Sequence, residues 1–541
     1  MTEPVKECML AFTQTPIVSQ NPNPSVPLAA VLQFSANKGV QTTVELADGA
    51  GTWAIKFDQD PAAGLPIVGM RANRRHELRV TIADAEGHVV QAPATLIYTT
   101  PPLPTDNTEF PPLRVTVSKP ERMEPGLTLM SVRRRRFGQL TNLTQEERNF
   151  LLFFGLLVAL DAEGEVVWYH RMNICFSDFT QLRNGNILYL TLDHHIVEID
   201  LLGNVVASWR SAGSPFPPRS AEVISIDTLS FHHFIDELPN GNIIAFSTVA
   251  KVIDDYWSSE EDPAAPRKQK KVMGDEIVEF QRDGAVVWRW RAFDWLEPYR
   301  IGYESLYIYW LMHGFADYVD WTHGNGLWLD ESDDSLIISL RHQDALFKID
   351  RKTGAIKWIL GEPTDWSEAL QPKLLRAENG MRWPYHTHAP SLTPQGTVLL
   401  FDNGNYRARP FAPPFPPNQS YSRAVEYAID TDKMAVRQMW ESDTAEGDAM
   451  VTYAMGDADW LPNTGNVLVT YGFCYPRNNI TDEMDWMTMN DMVYQTRLRE
   501  VAYTNPPEVV WELRMDEEGV ENPTHSWQAY GADRIPSLYK S

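Results

Sequence analysis

The chain has 541 residues, of which 43% are hydrophobic and 22% charged, a composition typical of a folded protein with a sizeable core. Its formal net charge of −25 argues against a nucleic-acid or anionic-membrane surface, because phosphate groups are bound by clustered Lys and Arg. Two short basic runs, RRRR at residues 133–136 and RKQKK at residues 267–271, are interpreted as solvated faces or loops. No apolar run approaches the roughly 18 residues of a membrane span, so we expect no membrane partner.

Residues 1–115 differ in pattern from the rest of the chain. Alternating runs such as TTVEL, TWAIKF, HELRVTIAD and ATLIYTT are separated by Gly, Pro and Asp turns. This spacing predicts a small N-terminal β-sandwich domain. The proline-rich stretch PPLPTDNTEFPPL at its end is interpreted as a linker.

Six copies of one pattern follow, each an apolar strand, an acidic turn and a second strand that carries a tryptophan. We interpret each copy as a two-stranded hairpin whose tryptophan packs between neighbouring sheets. The six tryptophans are Trp168, Trp209, Trp288, Trp358, Trp440 and Trp511. In most copies a turn and a further strand come before the hairpin, as in LRNGNILYL, LPNGNIIAF and LTPQGTVLLF.

Such a repeat predicts an all-β fold, in which residues 116–541 form a six-bladed β-propeller behind the N-terminal sandwich. The intervals between copies are irregular, which implies insertions between strands. Residues 293–320 are one insertion, with helical character in ESLYIYWLMHGFADYV. The apolar stretch at residues 150–160 is interpreted as a buried strand. Insertions of this kind commonly lie on one face and shape a pocket, which favours an enzyme over a scaffold.

Histidines recur at one position of the repeat. His233 and His388 each lie six residues before the proline of the following turn, and His323 opens the equivalent strand of another copy. Because propeller blades run outward from a central channel, these side chains should surround one axial cavity. Arg341 ends the strand that His323 begins and is expected to reach the same space.

Each of these histidines, taken alone, is better explained as a structural residue that caps a turn. Three at one register together with an arginine favour a site, because converging cationic groups are costly without an anion. Three histidines could also bind a metal. We predict no metal, since Arg341 beside a dication is unfavourable, and expect a tetrahedral oxyanion instead. Five further histidines are interpreted as structural, namely His194, His195, His232, His342 and His386. His386 is the exception to watch, since it stands two residues from His388 and a strand would direct both to one face.

Two long segments carry a resemblance to a known family. They are DWTHGNGLWLDESDDSLIISLRHQDALFKIDRKTGAIKWILG, residues 320–361, and HTHAPSLTPQGTVLLFDNGNYRARP, residues 386–410. Both are similar to the most distinctive blocks of the bacterial PAPS-independent arylsulfate sulfotransferases. The similarity covers most of the chain, including the N-terminal region and the closing HSWQAYGADRIPSLY.

The resemblance implies ping-pong transfer of a sulfuryl group from an aryl sulfate donor to a phenolic acceptor, through a sulfohistidine and without a nucleotide or other cofactor. The family's sulfurylated histidine stands thirteen residues before the Phe of FDNG, which gives His388 here rather than His386. The family's other sulfate-binding positions match His233, His323, Asn325 and Arg341. We therefore expect four catalytic residues, His388, His323, His233 and Arg341, and two substrate-binding residues, Asn325 and His386.

The chain departs from the family at two points. The segment QPKLLRAENG has no counterpart to the disulfide that characterised members carry before the nucleophile, and the three cysteines, Cys8, Cys175 and Cys474, form no disulfide or metal pattern. The start MTEPVKECMLAFTQTP lacks the basic and apolar regions of a signal peptide. We expect a cytoplasmic protein on this sequence, or a periplasmic one, as in the family, if a leader was trimmed. The resemblance further implies a homodimer.

Two other functions fit the same pattern. An aryl sulfate hydrolase would use the same histidine and pass the sulfuryl group to water. A propeller without catalytic activity would serve as a binding platform only. Nucleotide-dependent transfer is disfavoured, because the chain has no glycine-rich phosphate loop.

Overall fold

The structure is a computed structural model of the chain. It describes residues 9–136, 143–307, 309–378, 380–442, 449–489, 492, 494–516 and 523–540. Within these ranges nearly all regular structure is β-strand, which confirms the prediction of an all-β chain. Cys8 and the first eight residues lie outside the described ranges, whereas Cys175 and Cys474 are buried and free. No helix in the described part of the chain is long and apolar enough to cross a membrane.

The described residues form two short helices, α1 (Gln145–Leu152) and α2 (Trp486–Met489). In chain order the described strands are β1 (Phe12–Gln20), β2 (Ala30–Ala36), β3 (Gln41–Ala47), β4 (Thr52–Phe57), β5 (Leu65–Ile67), β6 (Arg75–Ala83), β7 (Val89–Gln91), β8 (Leu96–Thr99), β9 (Arg114–Ser118), β10 (Leu127–Arg135), β11 (Gly155–Leu160), β12 (Val166–Met172), β13 (Phe176–Gln181), β14 (Ile187–Thr191), β15 (His195–Ile199), β16 (Val205–Ser211), β17 (Ile224–Ile226), β18 (His232–Glu237), β19 (Ile243–Tyr256), β20 (Lys268–Phe280), β21 (Val286–Arg291), β22 (Tyr318–Asp320), β23 (Gly324–Asp330), β24 (Ser335–Leu340), β25 (Ala345–Asp350), β26 (Ile356–Gly361), β27 (Arg376–Ala377), β28 (His388–Leu392), β29 (Val398–Asp402), β30 (Arg423–Asp430), β31 (Ala435–Glu441), β32 (Met450–Thr452), β33 (Asp457–Trp460), β34 (Val467–Pro476), β35 (Gln495–Ala502), β36 (Glu508–Arg514), β37 (Ser526–Gln528) and β38 (Ala532–Ile535).

Strands β1 to β8 form two sheets at the N-terminal side of the chain. One has the order β1–β2–β5, and the other has the order β4–β3–β6, with β7 and β8 both paired to β6. Buried and exposed residues alternate along β3 and β6, because successive side chains of a strand point to opposite faces. The buried faces of the two sheets share one hydrophobic cluster, which includes Phe34, Val44 and Val80.

From residue 114 onward, the described strands form six further sheets. The first sheet contains β10 to β12 with β37 and β38, and the second contains β13 to β17. The third contains β18 to β22, the fourth β23 to β26, the fifth β27 to β31, and the sixth β32 to β36 with β9. All six predicted hairpins are present as antiparallel pairs, and the predicted turn-plus-strand segments form β14, β19, β24, β29 and β34.

The tryptophans of the hairpins connect neighbouring sheets, as the sequence pattern predicts. Four of them donate a hydrogen bond from Nε1 to a carbonyl in the hairpin turn of the next sheet along the chain. The pairs are Trp168 to Leu201 at 3.0 Å, Trp209 to Arg282 at 2.9 Å, Trp288 to Arg351 at 2.8 Å and Trp440 to Thr504 at 3.2 Å. A repeated sequence position therefore makes a repeated contact between sheets.

We expect Trp168→Phe to lower the free energy of unfolding by about 1–3 kcal/mol more than Trp511→Phe does. Both tryptophans are fully buried, but Nε1 of Trp511 has no hydrogen-bond partner among the described residues. The two substitutions thus remove the same atoms, and only the first leaves a buried carbonyl without its donor. Urea denaturation followed by circular dichroism measures the difference, and equal losses would contradict the role of the hydrogen bond.

Strands from the start of the six-sheet region pair with strands from its end. Strand β9 pairs with β36 at the edge of the sixth sheet, while β37 and β38 pair with β10 of the first sheet. Contacts also run from β13 to β18, β23, β28 and β33 in turn, which are strands of five successive sheets. The hydroxyl of Tyr539 contacts Pro66 and Val68 and so ties the C-terminal residues to the N-terminal sheets.

Two local predictions are wrong. Residues 150–152 belong to helix α1, so the buried strand that was expected from residue 150 begins only at Gly155. The insertion at residues 293–320 forms turns, two short 3-10 helices and strand β22 instead of the expected helix. Its aromatic side chains have low helix propensity, and Glu304 has a left-handed backbone that a continuous helix does not allow.

Candidate functional site

A cavity of about 160 Å³ lies among residues from the first, third, fourth, fifth and sixth sheets. This is about ten times the volume that one ordered water requires. Four of the six predicted site residues line it, namely His233, His323, Arg341 and His388. His233 and His388 each lie six residues before the proline of the following turn, at the start of β18 and β28. A shift in strand pairing includes His233 in β18 and directly follows His388 in β28.

His388 is held by an amide that fixes its tautomer. Its Nδ1 lies 2.6 Å from Oδ1 of Asn403. The Nδ2 group of Asn403 donates to the carbonyl of Met455 at 2.8 Å, so Oδ1 is the atom that faces the imidazole. Nδ1 of His388 therefore carries the proton, and Nε2 keeps a free lone pair.

His323 is held by a carboxylate. Its Nδ1 contacts Oδ2 of Asp320, which lies at the end of strand β22, and this leaves Nε2 on the cavity side. The backbone N–H of Arg341 donates to the carbonyl of His323 at 3.1 Å. The eighteen-residue spacing of these two residues thus brings them together, because β23 begins and its partner β24 ends at the same edge.

His233 belongs to a chain of imidazoles. Nε2 of His232 donates to the carbonyl of Ser247 at 3.0 Å, so its Nδ1 accepts from Nδ1 of His233 at 2.8 Å. Nε2 of His233 faces the hydroxyl of Tyr309 at 3.3 Å, and the two rings are stacked. The ring centres of His233 and His323 are 4.5 Å apart.

Arg341 is fixed by a buried ion pair. Its Nη1 lies 2.6 Å from Glu304, and it also donates to Nε2 of His342 at 2.8 Å. Nδ1 of His342 donates to the carbonyl of Asp320 at 2.5 Å. Both nitrogens of His342 are thus occupied, which fits its interpretation as a structural residue.

The imidazoles of this cavity are held in the neutral form. Burial, with Arg341 as the next cause, lowers the pKa of His388 to about 3 and that of His323 well below its ordinary value. Burial and the neighbouring imidazoles lower the pKa of His233 in the same way. The degree of burial that lowers these pKa values is not visible in the sequence.

The backbone at two of these histidines is unusual. His233 and His323 have φ values of 60° and 52°, in the left-handed region that few non-glycine residues adopt. Such conformations cost about 1–3 kcal/mol each and persist where the surrounding structure holds them. Their presence at two lining histidines favours a functional explanation for this cavity.

Asn325 and His386 do not line this cavity. The amide of Asn325 donates to the carbonyl of Thr387 at 2.9 Å, its Oδ1 has no partner among the described residues, and the side chain lines an adjoining cavity. His386 is buried with its ring 5.5 Å from that of Tyr406, and its Nε2 lies 3.7 Å from Asp344. The predicted substrate-binding role of both residues stays a prediction.

Two arginines of the first basic run line the cavity. The interpretation of residues 133–136 as a solvated face is wrong, because Arg133 and Arg135 are 8% and 7% exposed and end strand β10. Strand alternation directs these two into the cavity, whereas Arg134 stacks on Phe150 at 4.1 Å. The uninterrupted strand pattern LTLMSVRRR could have revealed this placement.

The insertion at residues 293–320 supplies further lining residues that sequence reasoning missed. They are Glu304, Tyr307, Tyr309, Met312, His313 and Asp320. The hydroxyl of Tyr309 lies 2.9 Å from Nε2 of His313, so the insertion builds its own hydrogen bonds over the cavity. The expectation that an insertion shapes a pocket is confirmed, although no motif identified which of its residues do so.

Comparison with known proteins decides the family. The family described as arylsulfotransferase (ASST) matches residues 114–518 of the chain. This protein belongs to the arylsulfotransferase family. The resemblance drawn from residues 320–361 and 386–410 is therefore confirmed at the level of the family.

Two curated relatives of this protein are named arylsulfate sulfotransferase AssT. The one from Escherichia coli O6:H1 is 37% identical over 139 residues, and the one from Lelliottia amnigena is 36% identical over 141 residues. Each match spans 23% of this chain and 23% of the relative's length.

Solved structures show weaker similarity. A protein of unknown function from Bacteroides caccae has a TM-score of 0.37 at 11% identity, covering 75% of this chain and 99% of its own. The β-propeller domain of Cps50 (Swd1) from Myceliophteria thermophila has a TM-score of 0.29 at 11% identity, covering 72% of this chain and 97% of its own. Both differ too much in shape from this protein to inform its chemistry.

Three groups of side chains in the described residues lie close enough to hold a metal ion. Asp84, Glu86 and His88 form one of them, between strands β6 and β7, and the other two line cavities. One is Asp320, His323 and His342 in the cavity, where Arg341 and the hydrogen bonds described above already occupy the nitrogens of His342. The other is Asp457, Asp459 and Asp533, which line the adjoining cavity of about 210 Å³ together with Asp178 and Asp236.

We expect this acidic cluster to make the stability of the protein depend on pH. Burial, followed by the charge of Asp457, raises the pKa of Asp533 to about 8. A carboxyl group whose pKa is raised by folding opposes folding once it ionises, so stability is highest below about pH 4 for this group and falls as pH rises towards 8. Asp533→Asn should therefore gain stability relative to the wild type by about 1–3 kcal/mol more at pH 8 than at pH 5.

Urea denaturation at the two pH values tests this expectation. The exposed Asp283→Asn is the control, and its effect should be the same at both pH values. A pH-independent effect of Asp533→Asn would show that this carboxyl group does not ionise against burial.

Proposed function

We propose that this protein is an arylsulfate sulfotransferase. It moves a sulfuryl group from a phenolic sulfate ester to a phenolic acceptor by a ping-pong mechanism, through a sulfohistidine at His388 and without PAPS. The observation that carries the proposal is the free Nε2 of His388 in a cavity that also holds Arg341 and His323. Family membership supports the reaction class, since two relatives are named for it.

The architecture we propose is a six-bladed β-propeller, residues 116–541, behind a small β-sandwich, residues 1–115. Six successive sheets, linked by contacts between their strands and by the pairing of β10 with β37 and β38, support a closed ring. The cluster shared by the two N-terminal sheets supports the sandwich. In such a ring the cavity lies on the central axis, where equivalent strands of several blades meet.

His388 is the nucleophile of the proposed reaction. The lone pair of Nε2 attacks the sulfur, the N–S bond forms, and the bond between sulfur and the phenolic oxygen breaks. Asn403 keeps the proton on Nδ1 and balances the positive charge that develops on the ring. The low pKa of His388 keeps Nε2 available as a nucleophile down to acidic pH.

His323 is the general acid and base. Binding of the anionic donor raises the pKa of His323 from the low value that burial gives it, so that Nε2 takes up a proton from solvent. His323 donates this proton to the departing phenolate, and later takes a proton from the acceptor phenol as its oxygen attacks the sulfur and the N–S bond breaks. Asp320 at Nδ1 orients the ring and favours the imidazolium form.

Arg341 stabilises the sulfuryl oxygens as their charge changes, and His233 does so once binding of the anionic donor has protonated its Nε2. The ion pair with Glu304 holds the guanidinium in place before the donor arrives, which is the condition for electrostatic catalysis. Asn325 and His386, which do not line the cavity, are the proposed substrate-binding residues. Tyr309, Phe473 and Tyr530 offer aromatic faces for the phenolic ring.

Incubation with 4-nitrophenyl sulfate, with and without phenol, followed by intact-protein mass spectrometry, tests the function. We expect nitrophenol release that depends on phenol and a sulfuryl adduct on the peptide containing His388. Release that does not depend on phenol would establish an aryl sulfate hydrolase instead. Neither release nor adduct with several aryl sulfates would leave a binding platform as the function.

A further inference from the structure

The guanidinium group of Arg133 is a buried cation with no ion-pair partner among the residues that the structure describes. It lines the cavity and is 8% exposed, and its Nε and Nη2 atoms have no hydrogen-bond partner among the described residues. Its guanidinium lies over the ring of Tyr530 at 5.2 Å. Removing a charge from water is costly unless a partner of opposite charge is present, so this arrangement calls for an anion.

The carboxylates that line the same cavity are already engaged. Glu304 pairs with Arg341, and Asp320 holds His323. The anion that Arg133 needs therefore comes from a ligand, and a planar guanidinium is best matched by a carboxylate or a sulfate.

This anion is not the sulfuryl group that is transferred. His233, His323, Arg341 and His388 belong to the third, fourth and fifth sheets, whereas Arg133 ends β10 of the first sheet. In a ring of six sheets the first and the fourth are opposite. The charge of Arg133 accordingly acts on Tyr309, His313 and Tyr530, while that of Arg341 acts on His323, His342 and His388.

The space between the two arginines is suited to an aromatic ring. Tyr309 and Tyr530 flank it, and Leu151, Leu192 and Met312 add apolar surface. A ring placed here with its sulfate ester at His388 directs its far end to Arg133.

We propose that the natural donor or acceptor carries a second anionic group, a carboxylate or sulfate on the aromatic ring, and that Arg133 binds it. This inference rests on the proposed function, and it assigns the class of substrate that the sulfotransferase takes. A buried hydrogen bond between charged groups contributes about 1.5–3 kcal/mol.

The test compares 4-carboxyphenyl sulfate with its neutral isostere, 4-carbamoylphenyl sulfate, in the wild type and in Arg133→Met. We expect kcat/KM of the wild type to favour the carboxylate donor by about 10- to 100-fold, mainly through KM. In R133M this ratio should fall to about one, and Arg133→Lys should retain part of it. Arg136→Met is the matched control, because Arg136 belongs to the same run but stacks on Phe150 outside the cavity, and its ratio should equal that of the wild type.

Three outcomes would overturn the inference: no preference in the wild type, an unchanged ratio in R133M, or an equal loss for both donors, which would assign Arg133 to the transferred sulfuryl group. If neither donor is turned over, the proposed sulfotransferase function is contradicted, but binding measurements can still decide whether Arg133 binds an anionic group on an aromatic ring. Calorimetry with 4-hydroxybenzoate and 4-hydroxybenzamide then measures whether the wild type, but not R133M, prefers the carboxylate. R133K replaces R133M in every comparison if the methionine variant does not fold.

Discussion

His388→Ala is expected to abolish sulfuryl transfer, with a loss in kcat of about 10⁵-fold or more. The substitution removes the only atom proposed to bond to sulfur, and the free phenol and donor then have to react directly. No sulfuryl adduct should form on the protein. Single-turnover release of nitrophenol and the intact mass of the protein measure both effects.

His386→Ala is the matched control for this experiment. The two histidines are two residues apart and both are buried, but only His388 lines the cavity and has an amide at Nδ1. The His386 variant should still form the adduct. An adduct that persists in H388A and disappears in H386A would move the nucleophile to the other histidine, and full activity in H388A would remove the covalent mechanism.

His323→Gln is expected to slow transfer by an amount that depends on the leaving phenol. A phenolate of high pKa needs its proton during bond cleavage, whereas 4-nitrophenolate leaves readily without one. We expect a loss of about 10²- to 10⁴-fold with phenyl sulfate and a much smaller one with 4-nitrophenyl sulfate. A plot of log kcat/KM against leaving-group pKa should therefore be steeper for H323Q than for the wild type.

His342→Gln is the control that distinguishes a loss of acid catalysis from a general disturbance of the cavity. Both nitrogens of His342 are engaged with Arg341 and Asp320, so its loss should slow all donors by a similar factor. Equal slopes for H323Q and the wild type would assign the proton transfer to another group.

Much of the fold could be predicted from the sequence because of the repeat. A tryptophan at one position of six copies marked six hairpins, and Trp168 and Trp209 make the same contact to the next sheet. Local exceptions were not readable. Residues 150–152 extend a helix that has a capping box at Thr144 and Glu147, and their apolar character alone does not distinguish a buried helix end from a strand.

The site residues that belong to the sequence repeat could be predicted from the sequence. His233, His323 and His388 lie at similar positions of the sequence repeat, close to the start of β18, β23 and β28, and the prediction from the repeat that they line one cavity is confirmed. Arg133 and Tyr309 were missed because nothing repeats around them: one comes from a run of charges that commonly faces solvent, and the other from an insertion. The protonation state of the imidazoles could not be predicted either, since the pKa of His388 depends on how far the folded cavity excludes water.

The pairing of β10 with β37 and β38 has a consequence for how the protein folds during its synthesis on the ribosome. Ser131 and Gly531, which are hydrogen-bonded across this pairing, are 400 residues apart in sequence. At ribosomal rates of about 5–20 residues per second, β10 waits roughly 20 to 80 s for its partner. During that interval one edge of β10 is unpaired and open to association with other strands, and Arg133 has no Tyr530 to cover it. The unpaired edge of β10 in the nascent chain is therefore exposed to association with other strands for about a minute. The cavity is completed only once residue 535 has left the ribosome and β38 can pair with β10.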